Sequence, residues 1–242
     1  MFVLIERFEM TIQDKQFKRD ANLVTNVSGK LGFEALPSVR QSWYGAFFKR
    51  AFDIILVLGS APIVVPVVLI LCALVARDNA NPFYRQNRLG RNGRVFSMWK
   101  LRSMVPDADQ FLVEHLGDNP EAYDEWEKTQ KLKNDPRITA FGHILRKSSM
   151  DELPQLWNVL IGDMSLVGPR PMMPTQRDLY PGIAYFSLRP GLTGYWQISD
   201  RNESSFPERA RFDTRYYNDL SLVTDITVLI KTVGVVLRGT GY

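Results

Sequence analysis

The segment IILVLGSAPIVVPVVLILCALVA, residues 54–76, contains no charged side chain. As an α-helix it would be roughly 35 Å long, enough to cross a bilayer hydrocarbon core of about 30 Å. A core helix of a soluble protein is rarely apolar on every face. The segment is therefore typical of a membrane helix and predicts that the chain is anchored in membrane lipids.

Two prolines and the charges around this segment bear on how it meets the membrane. Pro62 and Pro66 lie near its middle, where each removes a backbone donor and favours a kink. Basic residues stand at both ends, so by the positive-inside rule both flanks are expected in the cytoplasm. They are Lys49, Arg50, Arg77, Arg85, Arg88, Arg91 and Arg94. We predict a helix broken at Pro62 and Pro66 that returns to the face it entered, with a simple span as the alternative.

The rest of the chain predicts an α+β protein with three parts. Residues 1–40 are polar without clear periodicity and form a lead segment, and 41–78 carry the membrane helix with an interfacial aromatic stretch before it. Residues 79–242 form a small mixed helix and strand domain in the cytoplasm. Acidic residues nearly equal basic ones, 26 against 30, which argues against a nucleic-acid partner. A homo-oligomer is left open.

Local patterns place the elements of this domain. A turn at Asn92-Gly93 predicts a hairpin between strands at about 82–87 and 94–100. Helices are expected within 107–133, after Asp135-Pro136, and over 151–161. The apolar stretch 225–237 is too short to span a membrane, and its pattern suits an interfacial helix and a core helix equally.

The acid pair Asp151 and Glu152 has two interpretations. With Ser149 it matches a capping box, in which the serine and glutamate side chains bond free backbone N–H groups. Pro154 instead favours a helix that begins at Asp151. Alternatively, a carboxylate attacks phosphorus to form an acyl phosphate, which requires cations that neutralise the phosphate.

Several basic residues could supply that charge. Arg170 differs from the others because prolines on both sides restrict its backbone, and Arg189-Pro190-Gly191 repeats part of this arrangement. The full set is Arg88, Lys100, Arg102, Arg146, Lys147, Arg170, Arg189 and Arg201. Such residues fit an anionic substrate bound at a helix start.

Ordered motifs over roughly four fifths of the chain resemble the bacterial sugar transferase family, the monotopic polyprenyl-phosphate phosphoglycosyl transferases. They are KRAFDIILVL, QNRLG, FSMWKLRSM, DPRITAFGHILRKSSMDELPQLWNVLIGDMSLVGPRP and RPGLTGYWQISDRN. One departure is visible: many members have Ser-Pro at the helix break, where this chain has Val65-Pro66.

The resemblance implies a reaction. Members transfer a sugar-1-phosphate from a UDP-sugar to undecaprenyl phosphate and release UMP, through a phosphosugar bound covalently to an aspartate. It implies that Asp151 is this nucleophile and also contacts Mg²⁺, with Glu152 as its partner. Glu152 would either orient the metal or accept a proton. Substrate-binding roles are expected for Arg88, Lys100, Arg102, Arg170, Arg189, Gln197 and Arg201.

The resemblance also implies a place and a pathway. The expected location is the bacterial inner membrane, with the catalytic domain on its cytoplasmic face. The long insert between Lys100 and Asp135 is most like members that start exopolysaccharide or O-antigen repeats with galactose or glucose, and galactose is favoured. A membrane scaffold of the same fold without activity is the alternative function.

Overall fold

A computed structural model describes residues 43–78, 81–129, 132–199 and 206–237. The predicted lead segment, 1–40, lies outside these residues, and the domain boundaries stay predictions. A π-helical turn, Tyr44–Phe48, leads directly into helix α1, Lys49–Val75. Among the described residues, α1 is the one helix long and apolar enough to cross a membrane. The predicted membrane helix is confirmed in extent.

The two prolines do not interrupt α1. The helix is continuous through Pro62 and Pro66. A bend at these two prolines stays a prediction. An interior proline removes its own donor and crowds the carbonyl four residues earlier, so it favours a bend even where the helix continues. Two residues before Pro62, the Ser60 hydroxyl donates to the carbonyl of Val57 at 3.0 Å.

A hairpin and a second, parallel strand pair make up the sheet structure. Strands β1, Phe83–Leu89, and β2, Val95–Leu101, are antiparallel, with Leu89 opposite Val95. Asn92 and Gly93 in the turn have φ of 58° and 75°, the left-handed region that these residue types tolerate. The predicted hairpin is confirmed. Strands β3, Ser165–Val167, and β4, Gly191–Thr193, pair in parallel.

Short helices surround these strands. They are α2, Ala108–Asp118; α3, Pro120–Thr129; α4, Ala140–Lys147; α5, Gln155–Ile161; α6, Ala184–Ser187; α7, Arg209–Asn218; and α8, Leu222–Leu237. Single 3₁₀ segments occur at Ala76–Asp78, Arg91–Gly93, Met150–Glu152 and Pro174–Leu179. The mixture confirms an α+β fold, including the helices predicted within 107–133 and after Asp135-Pro136.

The predicted capping box is wrong. Ser149 has a φ of 55°, in the left-handed region, and its side chain makes no capping hydrogen bond. An N-cap residue normally has extended backbone angles, so this conformation cannot form the box. The acid pair lies instead in the 3₁₀ turn Met150–Glu152, and α5 begins only at Gln155, after Pro154.

Helix α8 confirms the core interpretation of the second apolar stretch, and an interfacial position stays a prediction. Val228 is fully buried in the largest core cluster, so one side packs against the domain. Val223, Ile230 and Val233 are more than half exposed and recur at helical spacing on another side. The helix is thus a core helix that also presents an apolar stripe to its surroundings.

Candidate functional site

The acid pair meets a lysine from the hairpin. Lys100, near the end of β2, places its Nζ 2.8 Å from Glu152 Oε1 and 3.7 Å from Asp151 Oδ2. The position of β2 against α5 is fixed by Asn158 of α5. Its side chain accepts from Trp99 N at 3.0 Å and donates to Ser97 O at 2.8 Å. Because Asn158 is fully buried, these bonds hold α5 against β2.

Asp151 is set in a partly dehydrated position. It is 7% exposed, and burial is the largest effect that raises the pKa of its carboxyl above the usual range. The Lys100 charge opposes this increase, Glu152 adds to it, and Arg146 opposes it. A carboxylate with few solvating waters and a raised pKa is a stronger nucleophile than one in free solvent.

The glycine-proline-arginine-proline turn is held by close backbone packing. Gly168 N donates to Thr193 O and Gly191 N donates to Pro169 O, each at 2.8 Å. A Cβ on Gly168 would lie 2.3 Å from the carbonyl oxygen of Arg189, so no side chain fits there. The two proline-containing motifs of the sequence therefore lie side by side, and the rigid turn that follows β3 carries Arg170.

One cleft gathers most of the predicted substrate-binding residues beside the acid pair. We name it the acid-pair cleft; its polar lining consists of Arg88, Lys100, Glu152, Gln155, Arg170 and Gln197. Burial and the charge of Arg170 lower the pKa of Arg88 to about 10, so it stays cationic near neutral pH. The buried Nε of Arg88 and Nε2 of Gln155 have no hydrogen-bond acceptor within the described part of the chain. The cleft thus combines cations with unused donors, as an anion site requires.

Two other predicted residues, Arg102 and Arg189, are not brought to this cleft. Arg102 donates to the carbonyl of Val75, the last residue of α1, at 3.1 Å and to the carbonyl of Asn81, just before β1, at 2.9 Å. Arg189 donates to Gly162 O at 3.0 Å, just after α5. Both satisfy carbonyls near helix ends. Arg201 lies outside the described residues. Substrate contacts by these three arginines stay predictions.

A second cleft was missed by the sequence reasoning. We name it the aromatic cleft; it is lined by Arg170, Met172, Tyr180, Trp196, Phe206, Arg209 and Asp213. It shares Arg170 with the acid-pair cleft. The sequence does not predict a functional role for Arg209 or Asp213, because α7 has an ordinary charged sequence, RARFDTRYYN. Only its packing turns these two side chains inward.

Comparison with known proteins agrees with these motifs. The sequence profile of the bacterial sugar transferase family matches residues 44–239. The chain is 48% identical to the UDP-galactose-lipid carrier transferase of Erwinia amylovora, over 81% of this chain and 41% of that protein. It is 46% identical to the undecaprenyl-phosphate galactose phosphotransferase of Salmonella typhimurium, again over 81% and 41%.

A shorter relative is matched over most of its length. The chain is 44% identical to the exopolysaccharide production protein ExoY of Rhizobium meliloti, over 81% of this chain and 88% of that protein. The chain therefore spans about two fifths of two of these relatives and nearly all of the third. The match over 44–239 includes the membrane helix, the acid pair and both clefts. The chain belongs to the bacterial sugar transferase family, whose members are membrane-associated.

Proposed function

We propose that the protein transfers galactose-1-phosphate from UDP-galactose to undecaprenyl phosphate and releases UMP, as a membrane step of exopolysaccharide synthesis. The observation that carries this is the acid pair at the acid-pair cleft: Lys100 lies near both carboxylates, and Arg88 and Arg170 line the same cleft as Lys100 and Glu152. Relatives named for galactose transfer to a lipid carrier, at 46–48% identity, support the choice of sugar and acceptor.

The proposed chemistry has two displacements at one phosphorus atom. An Asp151 carboxylate oxygen attacks the β-phosphorus, a new O–P bond forms, and the bond from that phosphorus to the bridging oxygen breaks. UMP leaves with the bridging oxygen. An oxygen of the lipid phosphate then attacks the same phosphorus, and the bond to Asp151 breaks, which restores the carboxylate. Lys100, Arg88 and Arg170 hold the phosphate charge throughout.

The acid pair also fits a magnesium ion. No cluster of three or more His, Cys, Asp or Glu side chains occurs in the described residues, and the acid pair Asp151 and Glu152 would supply the protein ligands. Magnesium is commonly held by one or two carboxylates together with substrate phosphates and water. When bound, the ion would neutralise the diphosphate. Glu152, already in contact with Lys100, would orient the metal or accept a proton.

Anchoring by re-entry is supported by the packing of α1. Near its start, Asp53 accepts hydrogen bonds from Ser165 Oγ at 2.8 Å and Leu166 N at 3.1 Å. Near its end, Leu71 and Val75 pack in a cluster with Leu101 and Leu145 of the same domain. No residue of α1 between Val57 and Leu71 is buried.

Both ends of a helix about 40 Å long thus contact one domain while the middle faces away from it. We propose that α1 bends within one leaflet of the bacterial inner membrane, with the domain on the cytoplasmic face. α8 and the exposed Trp43 and Phe47 would lie in the interface. Single cysteines placed at Arg50 and Arg77 in a chain lacking Cys72 should both react with an impermeant maleimide only from the cytoplasmic side. Labelling from opposite sides would show a simple span.

The substrate is tested with a panel of UDP-sugars. Purified protein with undecaprenyl phosphate and Mg²⁺ should release UMP fastest from UDP-galactose, with matching formation of a galactose-labelled lipid diphosphate. Faster release from UDP-glucose would correct the sugar and leave the reaction class standing. No release from any UDP-sugar would favour the inactive scaffold.

A further inference from the structure

The aromatic cleft contains a stacked cation. The Arg209 guanidinium lies 4.1 Å from the centre of the Trp196 ring and 4.8 Å from that of Phe206. Arg170 lies over Trp196 as well, at 5.6 Å. Stacking fixes the plane of a guanidinium while leaving its edge N–H groups able to donate. Arg209 is therefore held in one orientation in the wall of the cleft.

Charge in this region is unbalanced in favour of cations. Burial lowers the pKa of Arg209 to about 10, and the nearby charges of Arg170 and Arg88 add to the decrease. The buried Nε of Arg209 has no acceptor among the described residues. Bringing like charges together and leaving a donor unused costs folding free energy. An anion at this point would remove both costs.

One acid lies close enough to Arg209 to oppose the decrease in its pKa. Asp213, one helical turn further along α7, is 5% exposed and accepts a hydrogen bond from the Tyr180 hydroxyl at 2.6 Å. Its carboxyl also lines the aromatic cleft. A carboxylate beside a phosphate site is a common acceptor for ribose hydroxyl groups. Arg209 and Asp213 together thus suit a ribose phosphate.

Arg170 connects the aromatic cleft to the acid-pair cleft. In an in-line displacement the leaving group departs opposite the nucleophile. Lys100 and Glu152 line only the acid-pair cleft, whereas Arg170 lines both. Because the acid pair lies at the first cleft and Arg170 lines both, a diphosphate held by Arg170 leaves its nucleotide end for the aromatic cleft.

We propose that the aromatic cleft binds the ribose phosphate part of the leaving nucleotide, with Arg209 on the α-phosphate and Asp213 accepting from the ribose hydroxyls. The inference rests on the proposed function, because it takes UMP as the leaving group. It assigns α7 a direct part in donor binding.

UMP binding by the full chain in detergent, measured by calorimetry, tests this without turnover. Arg209→Gln should weaken UMP binding at least about tenfold, whereas Arg211→Gln, an exposed arginine on the same helix, should leave it unchanged. Asp213→Asn should weaken UMP binding and reduce the preference for UMP over 2′-deoxy and 2′,3′-dideoxy UMP. UMP affinity within twofold of wild type in Arg209→Gln would overturn the proposal.

Two further measurements separate failure of this inference from failure of the proposed function. Should Asp213→Asn fail to fold, the wild-type protein still decides the ribose contact, since equal affinity for UMP and 2′,3′-dideoxy UMP would exclude it. Asp151→Asn should keep UMP binding. If that variant also keeps transfer activity, the proposed nucleophile fails while the nucleotide site stands. If it loses transfer but Arg209→Gln binds UMP normally, only this inference fails.

Discussion

Replacing Asp151 with asparagine should lower UMP release from UDP-galactose by at least about 10³-fold, since an uncharged amide cannot form the acyl phosphate. The substitution preserves the shape of a residue that is almost fully buried. Loss of activity therefore reports on chemistry rather than on packing. The measurement is UMP release at saturating undecaprenyl phosphate, together with the mass of the intact protein after incubation with donor alone. Wild-type protein should gain the mass of one phosphosugar, and Asp151→Asn should not.

Asp163→Asn is the matched control, because it removes a half-buried acid of the same type just after α5. We expect this variant to retain wild-type activity and to form the adduct. Retention of more than a tenth of the wild-type rate by Asp151→Asn would contradict the assignment of the nucleophile. An adduct that persists in that variant would place the covalent step on another residue.

Replacing Asp225 with alanine should destabilise the folded protein by about 3–5 kcal/mol, the range for breaking a buried ion pair. Asp225 is fully buried and accepts from three side chains that come from distant segments. Lys49 Nζ lies 2.7 Å from Oδ2, the Tyr216 hydroxyl lies 2.7 Å from Oδ1, and the Tyr44 hydroxyl also donates to Oδ2. Alanine would leave a lysine and two hydroxyls with no acceptor at this point.

The expected decrease in melting temperature is roughly 6–20 °C, measured by thermal unfolding in one detergent. Asp219→Ala is the control on the neighbouring turn. Its ion pair with Arg215, 3.6 Å long, and its hydrogen bond from the Tyr195 hydroxyl, 3.0 Å long, are both exposed, and such contacts contribute little. We expect that variant to melt within about 2 °C of wild type. Equal melting temperatures for the two variants would show that Asp225 does not connect α8 to the start of the membrane helix.

The sequence alone determined those features that depend only on residues close together along the chain. An uncharged run with basic flanks predicts α1, and Asn92-Gly93 predicts the hairpin, because helix length and turn angles are local properties. Even local rules failed at Ser149, where the left-handed backbone overrides a matching capping motif.

Tertiary packing determined the positions of the charged side chains. Arginine side chains with the same chemistry end in different places: Arg88 and Arg170 line the acid-pair cleft, whereas Arg189 bonds a carbonyl after α5. Arg209 stacks on aromatic rings beside the site although nothing in its own segment predicts this. These outcomes depend on segments tens of residues apart coming together. The sequence therefore determined the long apolar helix α1 and the position of the hairpin. Only long-range packing determined which cations line the acid-pair cleft.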